Sequence, residues 1–124
     1  MASALPLIPS NIAADVARDL SVAHESWMQD WPLEVASPSR LEEFVSRCEV
    51  EEREEHRTAI LALILASLDE AFAGGEPALD LLSRIATLLR RRSVGIELLV
   101  RYWSRPSAES DEEMFRVTPW LRRL

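Results

Sequence analysis

Ten consecutive residues, Ala59 to Leu68, carry no charge, and only Ser67 among them is polar. The charged segments EEREEHRT and DE bracket this run. A bilayer span needs about 20 apolar residues, so the run is too short to be one. Read as a helix from about Glu51 or Thr58 to Ala73, it sets Ile60, Leu61, Leu63, Ile64, Leu65, Leu68 and Phe72 around nearly the whole circumference. A helix that is apolar on every side has to be covered on every side. The chain is therefore expected to be an all-α bundle with this helix at its centre. Gly74-Gly75 supplies the left-handed turn that ends it.

The flanking segments read as the covering helices. Ser10 is placed to cap a first helix, in which Ile12, Val16, Leu20, Ala23 and Trp27 fall on one face and Trp31-Pro32 closes the element. A second helix starts near Ser37-Pro38-Ser39, with Ser39-x-x-Glu42 as an alternative capping box, and buries Leu41, Phe44, Val45 and Cys48. The charged stretch 49–57 is either a connecting turn or the exposed start of the central helix. Pro77 opens a fourth helix whose Leu79, Leu82, Ile85, Ala86 and Leu89 face inward with Leu81 and Leu88. Residues 94–103 fit a strand or a helix. Helix is expected, because a strand needs a partner and no other segment alternates convincingly. The tail holds Met114, Phe115, Val117, Trp120, Leu121 and Leu124, too apolar to stay undocked. The expectation is one domain over residues 1–124, with about five helices and a docked C-terminal tail.

Charge narrows the range of partners. There are 21 acidic residues against 14 basic ones, all of them Arg, for a net charge of −7. Such a balance argues against general binding to nucleic acid or anionic membranes and suits a basic protein. The charge is unevenly spread: −11 over residues 1–83, +5 over 84–105 and −1 over 106–124. The single Cys48 allows no internal disulfide, which is compatible with a reducing cytosol. The segment MASALPLIPSN lacks the basic and apolar regions of a signal peptide, so a cytoplasmic location is expected.

Little in the chain points to catalysis. Cys48 and His56 are eight residues apart, about 12 Å along a continuous helix, which is too far for proton transfer. The Glu-x-x-His motif of di-iron bundles is absent twice, since Arg53 stands three before His56 and Ser21 three before His24. Cys48, Glu52 and His56 fall short of a zinc site, and Glu52 with His56 reads as a solvated pair. Gly74-Gly75 follows a helix, so it is not a phosphate loop, and Arg90, Arg91 and Arg92 suit the electrostatics of a helix end. No catalytic residue, metal or cofactor is expected. The candidate contacts are the acidic run Glu49, Glu51, Glu52, Glu54 and Glu55, with Asp111, Glu112 and Glu113 second. Its alternative role is a merely solubilising face. Trp27 and Trp31, four apart, are either core residues or interface anchors.

The chain order also carries a resemblance. A Trp-x-x-x-Trp-Pro segment precedes a short helix with an acidic break and then AILALILASLDEAF. Tyr102-Trp103-Ser104, an acidic loop, Phe115 and the terminal VTPWLRRL follow. This pattern resembles small helical immunity proteins of bacterial polymorphic and secreted toxin systems. The resemblance implies a protein that binds one cognate toxin and occludes its active site without catalysis. A non-enzymatic adaptor or effector chaperone for a basic protein partner is the alternative.

Overall fold

A computed structural model describes residues 8–25, 28, 30–91, 93–105 and 114–124. The described residues form seven α-helices and no strand: α1 (Ser10–Leu20), α2 (Trp31–Glu34), α3 (Leu41–Val50), α4 (Glu54–Phe72), α5 (Leu79–Leu89), α6 (Val94–Ser104) and α7 (Thr118–Arg122). A 3-10 turn over Pro38–Arg40 leads into α3. The five long helices are α1, α3, α4, α5 and α6, and buried residues from all of them form one cluster.

α4 is the central element. Every residue from Ala59 to Leu68 is buried, and α1, α2, α3 and α6 all pack against it. It starts at Glu54, between the two positions that the sequence allowed. The Glu51 carboxylate accepts the Arg53 backbone N–H at 3.1 Å and holds that residue extended, so the helix begins just beyond it. Gly75, at φ 120°, carries the chain away from its far end.

α1 stops earlier than its apolar spacing predicts. Ser21 adopts a left-handed conformation, and the Ser21 and Val22 N–H groups turn back to Arg18 and Ala17. The Arg40 guanidinium donates to the Leu20 and Ser21 carbonyls at this end. The face that ran from Ile12 through Ala23 to Trp27 is therefore not one helix, and Trp27 itself lies outside the described residues. Trp31 is a core residue: it is buried and donates Nε1–H to the Ala23 carbonyl at 2.7 Å.

Residues 94–104 are helical, as expected. The Ser93 hydroxyl accepts the Ile96 N–H at 3.1 Å and caps the helix, which buries Ile96, Leu99 and Trp103. Gly95 lets α6 approach α4: a Cβ there would stand 2.7 Å from Thr58 Cγ2. The tail docks through α7, where Thr118 Oγ1 donates to the Trp103 carbonyl at 2.7 Å and accepts the Phe115 N–H at 3.0 Å. Asp69 accepts the Val117 N–H at 2.9 Å, and the Phe115 ring lies 4.6 Å from that of Trp103.

Two expected core residues are exposed instead. Leu79, the first residue of α5, is 75% exposed and lines an open cleft with Trp120. Leu124, which follows the last turn of α7, is 61% exposed. Both stand at helix ends, where one side of the residue has no packing neighbour to meet.

Candidate functional site

The five glutamates of the acidic run occupy the α3–α4 junction, and the structure divides them. Glu51 is turned inward, at 5% exposure. Its carboxylate accepts the Arg53 backbone N–H, Arg53 Nε at 3.1 Å, an Arg53 terminal nitrogen at 3.0 Å and an Arg47 nitrogen at 3.2 Å. Asp19 of α1 lies 3.6 Å from the same two guanidinium groups. The Arg53 hydrogen bonds lower the Glu51 pKa from 4.5 to about 2, against the opposing effect of burial. Glu51 thus fixes the turn and ties it to α1.

Glu49 is also engaged. Its two oxygens take Arg84 Nε at 3.1 Å and a terminal nitrogen at 2.6 Å, a bidentate pair that joins α3 to α5. Arg84 also reaches the Ser46 hydroxyl at 3.0 Å and the Glu42 carboxylate at 3.8 Å. The Arg84 hydrogen bonds hold the Glu49 carboxyl below its ordinary pKa.

Glu52, Glu54 and Glu55 are exposed, and none is in an ion pair with a described residue. Glu54 and Glu55 occupy the first turn of α4, where negative charge offsets the helix dipole. They border an open notch of about 300 Å³ whose walls include Pro9, Ala59 and Val94. Val94 is 75% exposed, and Val50, within the acidic run, is 69% exposed. Glu54 and Glu55 thus border an uncovered apolar surface, and Glu52 stands two residues from the exposed Val50. The second group, Asp111, Glu112 and Glu113, lies outside the described residues, as does Arg92 of the basic run.

His56 corrects the expectation of a solvated pair with Glu52. Because α4 begins at Glu54, Glu52 is not a helical turn away from it. His56 is buried against α1, with Nε2 3.1 Å from Asp15 Oδ2. That hydrogen bond is the main cause of a lowered Asp15 pKa. Cys48 is fully buried, its Sγ 3.7 Å from the Arg57 carbonyl, and burial pushes its thiol pKa up to about 12. It stays protonated at neutral pH and is a poor nucleophile. Among the described residues, no three His, Cys, Asp or Glu side chains are grouped to hold a metal ion. No helix among them is long and apolar enough to cross a membrane.

Sequence reasoning missed the partners Asp19, Arg47 and Arg84. Asp19 and Arg84 come from other helices, and no local spacing signals a pairing across the bundle, whereas Arg47 stands four residues before Glu51, a spacing that could have marked the pair. Comparison with family models, curated proteins and solved structures finds no match to this chain.

Proposed function

We propose that the protein is an immunity protein that binds a cognate bacterial toxin in the cytoplasm and occludes its active site without catalysis. One observation carries this reading: Glu52, Glu54 and Glu55 present carboxylates that are in no ion pair with a described residue, near exposed valines at a junction that the Glu51 and Glu49 hydrogen bonds tie to its neighbours. A fixed acidic surface steers a basic partner and limits the entropy lost on docking. Exposed valines add area that gains from being covered. Glu49 and Glu51 act here as positioning residues, and Asp111, Glu112 and Glu113 form the second contact set.

The test is co-expression with the product of the adjacent reading frame in a sensitive host. Protection from killing is the expected result, and E52Q/E54Q/E55Q weakens it. A partner that becomes soluble but whose toxicity is unchanged assigns the protein to the effector-chaperone class instead. Full toxicity with no complex formed overturns the reading.

A further inference from the structure

α5 packs on α3, whereas α6 packs on α4 and α7, so α5 makes few close approaches to α6 or α7. The wedge left between them is an open cleft of about 420 Å³. The apolar part of its lining is formed by Ala86 and Leu89 of α5, Ile96 and Val100 of α6, and Leu121 of α7, with Leu124. Two arginines, Arg90 and Arg101, also line it, and neither is in an ion pair with a described residue. The one acid on the lining, Glu97, lies one helical turn before Arg101. The cleft is therefore formally positive in a protein whose net charge is −7. A second cleft shares Ala86, Arg90 and Leu124 and continues the trough along α5 past Leu82 toward Leu79.

Small-ligand sites have volumes of roughly 300–1,000 Å³, with mostly apolar walls and a few polar groups that orient the ligand. Guanidinium groups suit carboxylates, to which they donate paired hydrogen bonds. We infer that this cleft binds a medium-chain fatty acid. Its carboxylate meets Arg90 and Arg101, and its hydrocarbon chain lies over Ala86, Ile96 and Leu121. An apolar chain alone would gain from the walls, but only an anion gains from both arginines. This site involves none of the α3–α4 glutamates, so it stands or falls independently of the proposed function.

Calorimetric titration with dodecanoate below its micelle concentration tests the inference, with dodecanol as the uncharged control. Saturable one-to-one binding is expected for the wild type. Dodecanol and the R90Q/R101Q variant should each bind at least about tenfold more weakly. V100W, which fills the cleft, should remove binding while circular dichroism shows a folded helical protein. Absence of saturable binding by the wild type overturns the inference. So does dodecanol binding as tightly as dodecanoate, or R90Q/R101Q binding at wild-type strength. The arginine variant keeps the test decisive if V100W fails to fold, because both substituted side chains are at the cleft lining and outside the packed core.

Discussion

Glu51 and Arg53, two residues apart, close a ring in which one carboxylate holds both the backbone N–H and the guanidinium of the same arginine. The N–H is one of the groups that a starting helix leaves unpaired, so this ring defines where α4 begins. The same carboxylate takes Arg47 from α3, which makes one acidic residue the joint between two helices.

This joint predicts acid sensitivity. The Glu51 pKa is about 2 in the folded chain against an ordinary 4.5, so the folded state binds its proton less readily than the unfolded state. Its contribution is complete above pH 4.5 and is lost as pH falls toward 2. The shift corresponds to an effect on the order of 3 kcal/mol. Urea unfolding between these limits should show a steeper loss for the wild type than for E51Q, which lacks this titration. Parallel pH profiles would remove Glu51 as the cause.

Gly95 predicts a sign change in a double-mutant cycle. Alanine normally improves a helix over glycine by about 0.5–1 kcal/mol. Here the new Cβ would meet Thr58 Cγ2 at 2.7 Å and Oγ1 at 3.0 Å, and a β-branched side chain has little room to turn away. Gly95→Ala should destabilise the wild type by about 1–3 kcal/mol. In a Thr58→Ala background the obstructing atoms are gone, and the same change should be neutral or stabilising. Thermal or chemical unfolding of the four proteins measures the coupling.

The helices that local pattern determines were legible from the sequence. The unbroken apolar run at 59–68 required a covered central helix, and the lack of any partner strand placed residues 94–103 in a helix. The end of α1 was not legible, because the left-handed Ser21 is held partly by Arg40, which arrives from nineteen residues away. The candidate site was legible only as a composition. Glu51 and Glu52 are the same residue type in the same run, yet one is buried in a guanidinium network and the other is exposed. The difference depends on Asp19 of α1 drawing Arg47 and Arg53 together around Glu51, and the position of Asp19 is not encoded by any spacing in the run.

Thr118 predicts how firmly the tail is held. Its hydroxyl is fully buried and makes two hydrogen bonds, to the Trp103 carbonyl and from the Phe115 N–H. Thr118→Val keeps the shape but leaves both partners unsatisfied, at a cost of about 1–3 kcal/mol. The loss should appear in equilibrium unfolding and as faster amide exchange in α7, with little change of exchange in the buried centre of α4.

The division of the acidic run predicts how binding kinetics respond to charge. Exposed carboxylates act at a distance and are screened by salt over about 8–10 Å at ordinary ionic strength, so they govern association more than dissociation. E52Q/E54Q/E55Q should slow association with the proposed partner and flatten its dependence on salt, with little change in dissociation or in folding stability. E49Q should behave differently. Its carboxylate is already held by Arg84, so its removal should loosen the α3–α5 contact and lower stability, by about 1 kcal/mol for a partly exposed pair. It should also leave Arg84 with only Ser46 and Glu42 as its remaining partners. Stopped-flow association across a salt series, run beside unfolding curves for the same variants, separates the two classes. An association rate that ignores both salt and the triple substitution would show that these three carboxylates do not steer the partner.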